Sequence, residues 1–260
     1  MKIAFIGDSV TEAKPGVSYV DIVKNKMNTH TVVNYGKGGD TVSSLLKRIK
    51  KINDLDTFDI IVLLIGKNDV FGKLTWQYSL LKTLMGQKWA KNKTVFTKQY
   101  LSLLDYLQTK NTNIIVIPPL ILGENLNNSW NKEIEELVGI IKIIIQDYPK
   151  AFYLDIRSSF INYIKDKEQS DYIPYKVFAL YTDLKNLKTN EDVDKKSQER
   201  GLYLTLDGVH INSKGANIIA EEIITQINKY WLSTYTYTYT YTYTYTYRLK
   251  TSCVKSIRRN

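Results

Sequence analysis

Apolar positions along this chain alternate between two rhythms. Residues 2–6, Lys-Ile-Ala-Phe-Ile, form a short apolar run ending at a glycine, the pattern of a strand buried on both faces. Residues 31–35 are β-branched and predict a second strand, 59–65 a third, 113–117 a fourth stopped by Pro118-Pro119, and 151–156 a fifth. Between them the apolar spacing turns helical. Val17, Val20 and Val23 mark a helix over 17–27; Val42, Leu45, Leu46 and Ile49 mark one over 41–52. A helix-like insert covers 73–90. A helix over 94–109 carries Phe96, Tyr100, Leu103, Leu104 and Leu107; another over 130–148 stops at Pro149, and 212–231 forms the closing helix.

Strands alternating with helices require crossover connections and therefore a parallel α/β sheet. Such sheets bind ligands beyond the carboxyl ends of their strands. Ser9 follows the first strand, Gly39 the second and Asn68 the third, so all three are expected on one edge of the sheet.

Composition narrows the class only slightly. At 260 residues, 43% hydrophobic and 24% charged, the chain is long enough for one full domain of ordinary soluble character. The net charge is +10, but Arg248, Lys250, Lys255, Arg258 and Arg259 supply half of it in a tail without acids. The body is only mildly basic and has no basic run interleaved with aromatics, so nucleic acid is not an expected partner. The one cysteine, Cys253, precludes a disulfide within the chain and a cysteine metal site. Only four apolar residues separate Lys2 from Gly7, so no signal peptide is visible, and no apolar run reaches a membrane span of roughly 18 residues. The chain as written is expected to be cytoplasmic; a missing leader would make it secreted.

Thr234–Tyr247 is seven copies of Thr-Tyr. With the basic segment behind it, it reads as a low-complexity, disordered extension. Two parts are therefore expected: a domain over 1–232 and a tail over 233–260.

Chemistry is carried by three short motifs. Gly7-Asp8-Ser9 offers a hydroxyl, Gly66-Lys67-Asn68-Asp69 an amide donor, and Asp207-Gly208-Val209-His210 a carboxylate three residues before an imidazole. A serine hydrolase needs a nucleophile, an oxyanion donor, a base and a group that orients the base. The chain has two histidines, His30 and His210, so a histidine-rich metal site is excluded and any histidine chemistry falls to one of them. His30, between a helix and a strand, reads as a surface or turn residue. His210 reads as a base oriented by Asp207, or as a capping histidine after an Asp-Gly turn. Ser9 reads as a nucleophile or as a helix N-cap. The glycine-rich turn over 34–41 fits no phosphate-binding spacing; it places a backbone N–H near substrate at Gly39, or serves turn geometry alone. Lys67 and Asp69 read as structural or solvated. No cofactor and no metal is expected.

Taken together, these motifs resemble the SGNH, or GDSL, hydrolase family of esterases and lipases. Gly7-Asp8-Ser9 resembles its first block, with Val10 where the name-giving motif has leucine. Gly38-Gly39-Asp40-Thr41 resembles the second, with Gly38 where serine is usual, and Gly66-Lys67-Asn68-Asp69 and Asp207-Gly208-Val209-His210 resemble the third and fourth. The resemblance spans about residues 2–232. It implies a three-layer α/β/α sandwich with a five-stranded parallel sheet, flavodoxin-like in architecture. It implies a catalytic triad of Ser9, His210 and Asp207, with Ser9, Gly39 and Asn68 around the oxyanion.

The expected function is a serine esterase acting through an acyl-enzyme, with short-chain acyl or O-acetyl esters favoured. Acyl transfer by the same groups and a non-catalytic ligand-binding domain are the alternatives. The expected substrate is a small-molecule, carbohydrate or lipid ester, and the oligomeric state is open. Trp76, Leu80, Leu81, Leu84, Met85 and Trp89 give the insert either an acyl-pocket face or ordinary core packing. Tyr172, Tyr175, Phe178 and Tyr181 mark a second candidate rim.

Overall fold

The computed structural model describes residues 1–73, 76–84, 86–110, 112–174, 182–183 and 185–229. The Thr-Tyr repeat, the basic tail, Tyr175, Phe178, Tyr181, Met85 and the side chain of Leu81 lie outside the described residues.

Five strands form one parallel sheet: β1 (Lys2–Gly7), β2 (Thr31–Gly36), β3 (Ile60–Leu64), β4 (Asn113–Ile117) and β5 (Ala151–Tyr153). Their order is β2-β1-β3-β4-β5, and every pairing is parallel. Central β3 is buried at every position, which is why its sequence is an unbroken apolar run. Edge strand β2 is only partly covered and tolerates Asn34 and Tyr35.

Helices among the described residues include α1 (Ser9–Glu12), α2 (Tyr19–Lys26), α3 (Val42–Ile49), α4 (Lys67–Phe71), α5 (Trp76–Leu84), α6 (Lys93–Gln108), α7 (Ser129–Ile144), α8 (Ile156–Ile164) and α9 (Asn190–Glu199). On one face of the sheet, Ala4, Ile6, Ile61, Leu63, Ile114 and Val116 join the apolar stripes of α3, α6 and α7 in a single cluster. Alternate strand residues point the other way, where Phe5 meets Tyr19 of α2 edge to face at 5.9 Å. The chain divides into two compact units, Met1–Glu221 and Glu222–Asn260. Residues 213–221 are helical at the end of the first, and 222–229 are helical in the second.

One expectation fails locally. The fifth strand ends at Tyr153, because Asp155 accepts from the Ser158 N–H at 3.2 Å and starts α8 at Ile156, where the apolar run had read as strand. In the insert, Trp76, Leu80 and Leu84 are 73%, 51% and 76% exposed and so are not packed in the core, whereas Tyr78 of α5 is buried.

Register places the chemistry. Gly7 at the end of β1 pairs with Gly36 of β2 and with Leu64 of β3, so three strands finish level. The loops bearing Ser9, Gly39 and Asn68 leave from that one edge. β1 lies between β2 and β3, at the point where the strand order reverses direction, and loops there diverge to leave a crevice.

Candidate active site

Ser9 is the first residue of α1, and Asp8 is its cap, with Oδ1 accepting from the Val10 N–H at 3.0 Å. The capping work that Ser9 was suited to is thus done by its neighbour. Ser9 Oγ lies 2.9 Å from His210 Nε2. His210 Nδ1 lies 2.8 Å from Asp207 Oδ2. A carboxylate only accepts, so Nδ1 carries the ring proton and Nε2 is left to accept from the Ser9 hydroxyl. Residues 201 positions apart in the chain are therefore brought into one hydrogen-bonded series. Such a series can move a proton from hydroxyl to imidazole as the oxygen attacks.

The turn bearing Asp207 and His210 is held from several sides. Asp207 Oδ1 accepts from the Val209 N–H at 2.9 Å and the His210 N–H at 2.7 Å, so the carboxylate shapes the loop that positions its own partner. Gly208 has φ of +82°, and a Cβ there would stand 2.8 Å from the Tyr172 carbonyl oxygen. The Leu206 N–H donates to the His210 carbonyl at 2.8 Å, and the Val17 N–H donates to Ile211 at 3.0 Å. Asp207 is fully buried, and burial alone raises a carboxylate. The His210 ring and the N–H donors of His210 and Val209 outweigh it and hold Asp207 below the usual carboxylate range.

Asn68, at the start of α4, directs Nδ2 to the Asp40 carbonyl at 3.0 Å and to Asp8 Oδ2 at 3.3 Å, which joins the loops after β1, β2 and β3. Gly39 sits in the turn after β2 with φ of +77°; a Cβ there would stand 2.4 Å from Gln87 Oε1. The structure thus brings Ser9, Asn68, Asp207 and His210 together, with Gly39 in the adjoining turn. His30 stands apart, between α2 and β2, bonded to Thr29 Oγ1 at 2.8 Å.

Several contributors escaped sequence reasoning. Gln87 donates from Nε2 to the Gly38 carbonyl at 2.9 Å, and Glu12 Oε2 accepts from the Gly38 N–H at 2.6 Å. Glu124 accepts from the N–H groups of Tyr203, Leu204 and Thr205 at 2.8, 2.9 and 2.8 Å and from the Thr205 hydroxyl at 2.6 Å. Arg200 forms a buried two-point ion pair with Asp183, both contacts at 2.9 Å, and covers the Tyr172 ring at 4.7 Å. Asp69 accepts from Val42 and Ala90 at 3.1 and 2.9 Å. Asp69 is therefore structural, as is buried Lys67, which donates to the Val209 carbonyl. Neither is solvated. Among the described residues no His, Cys, Asp and Glu cluster fits a metal ion, and no helix is long and apolar enough to cross a membrane.

A nucleophile–imidazole–carboxylate series on the carboxyl edge of a doubly wound sheet is the arrangement of an acyl-transferring hydrolase. The family model of the GDSL-like lipases/acylhydrolases matches residues 3–223, and the chain belongs to that family. It is a serine ester hydrolase. Among solved structures, an acetyl xylan esterase shares 20% identity over 87% of this chain and 100% of its own, with a TM-score of 0.60. An acetylxylan esterase from Geobacillus stearothermophilus is similar at 20% identity, covering 87% of this chain and 93% of its own, with a TM-score of 0.60. An α/β hydrolase from the metagenome of Lake Arreo, Spain, shares 19% identity over 86% and 93%, with a TM-score of 0.57. At these identities the likeness shows the fold. No curated protein matches the chain by sequence.

Proposed function

We propose that the chain hydrolyses short-chain or O-acetyl carboxylic esters through a Ser9–His210–Asp207 triad and an acyl-enzyme. The observation that carries this reading is the unbroken series from Ser9 Oγ to His210 Nε2 at 2.9 Å and from His210 Nδ1 to Asp207 Oδ2 at 2.8 Å. Ser9 Oγ attacks the ester carbonyl while its proton passes to His210 Nε2. The carbonyl π pair moves to oxygen, where the N–H groups of Ser9 and Gly39 donate to it together with the Asn68 amide, one N–H of which turns away from its 3.3 Å contact with Asp8 Oδ2. Collapse expels the alcohol, which takes the proton from His210. Water then repeats the sequence on the acyl-enzyme: His210 takes its proton, hydroxide adds, and Ser9 leaves protonated with release of the acid. Asp207 stays ionised and keeps the imidazolium oriented in both halves.

Three structural neighbours are catalytic mutants of the Geobacillus enzyme, altered at an aspartate, a serine and a histidine. This supports the roles given to Asp207, Ser9 and His210, and the acetyl substrate in those names supports a short acyl group. The test is a series of p-nitrophenyl esters from acetate to octanoate, run beside acetylated xylo-oligosaccharides. The expected result is a kcat/KM that falls as the acyl chain lengthens. A rise toward octanoate would overturn the short-chain assignment and leave the triad standing.

A further inference from the structure

Lys67 is a buried cation for which the hydrolytic steps above have no use. It occupies the variable second position of the Gly-x-Asn-Asp block, one residue from Asn68, and is only 5% exposed. Its Nζ reaches across to the carbonyl of Val209, 142 residues away in sequence. That peptide is gripped at both ends, because its N–H, that of His210, donates to Asp207 Oδ1 at 2.7 Å. The peptide joins Val209 to His210, so its two hydrogen bonds set the direction in which the imidazole leaves the backbone. A buried ammonium costs several kcal/mol unless it is paired and hydrogen-bonded. The charges of Asp8, in the loop after β1, and Asp207, in the loop before the closing helix, offset part of that cost. Burial holds the Lys67 amine below the ordinary lysine value, and those two carboxylates oppose it only in part. One cation thus stands near the carboxylate beside Ser9 and the carboxylate that orients His210.

We propose that Lys67 is a positioning residue, whose ammonium clamps the Val209 carbonyl and so fixes the Asp207–His210 turn against Ser9. This inference rests on the triad reading of the site. Its reach is from the third motif block to the fourth, the two parts of the site not joined by Asn68. A methionine at this position fills similar space with neither donor nor charge, and an arginine keeps both.

The test compares wild type, Lys67→Met and Lys67→Arg by p-nitrophenyl acetate kinetics and by the downfield ring N–H proton resonance of His210. With two histidines in the chain, that resonance is assigned by its loss in His210→Asn and its survival in His30→Gln. Folded Lys67→Met is expected to lose about 10²-fold in kcat with little change in KM, since a misplacement near 1 Å costs that much. The resonance is expected to vanish or move upfield, and Lys67→Arg is expected to recover most of both. A folded Lys67→Met with wild-type kcat and an unmoved resonance would overturn the clamp, whatever its melting temperature. Where Lys67→Met does not fold, Lys67→Gln carries the same comparison. Should wild type itself lack esterase activity, the triad reading fails on that result, and the resonance alone decides the clamp.

Discussion

Asp207 uses both carboxylate oxygens within its own loop, one on backbone N–H groups and one on the His210 ring. That economy has a measurable consequence. The folded protein holds Asp207 below its ordinary value, so the carboxylate contributes stability above its unfolded value of about 3.9. The contribution is lost as pH falls through the lower folded value. Asp207→Asn is therefore expected to unfold at lower urea than wild type at pH 7, and the gap is expected to narrow below about pH 4. A gap that stays constant through the acid range would contradict the assignment. At this scale the residues that the structure brings together in the proposed site were legible in the sequence. Ser9, Asn68, Asp207 and His210 stand in short motifs whose spacing is local. Gln87, Glu124 and Lys67 were not legible in these roles. Their contacts lie 49, 79 to 81 and 142 residues away, and no spacing rule encodes a pairing of that length.

Among the elements, those with a strong apolar rhythm declared themselves, and those defined by capping did not. β3 and the stripes of α3, α6 and α7 follow directly from burial. α9 buries only Val193 and Ser197, so it has no apolar stripe to read; its signal was the Thr189–Asp192 capping box. The break between β5 and α8 depended likewise on Asp155 rather than on hydropathy. Glu124 shows how such polar anchors serve the site. It supports the 203–205 segment, two residues ahead of Asp207, with four accepted hydrogen bonds. Glu124→Ala leaves three backbone N–H groups without that acceptor, and is expected to cost at least about 3 kcal/mol in urea unfolding and to lower kcat. Wild-type stability in that variant would show that the segment is held by other means.

Over the whole molecule, function follows from strand order. Placing β1 between β2 and β3 brings the loops after three strands to one crevice, and the Asp207–His210 turn reaches it from the far end of the sequence. The parallel sheet was readable from alternating periodicities. The strand order was not, because periodicity says nothing about which strand pairs with which. The proposed triad stands or falls with Ser9 as the nucleophile. It is tested most directly by fluorophosphonate labelling of wild type and Ser9→Ala, read beside p-nitrophenyl acetate hydrolysis on the same samples, with circular dichroism confirming that both are folded. Wild type is expected to label and turn over, and Ser9→Ala to do neither. A folded wild type that takes no label, or a Ser9→Ala variant that still hydrolyses the ester, would contradict it.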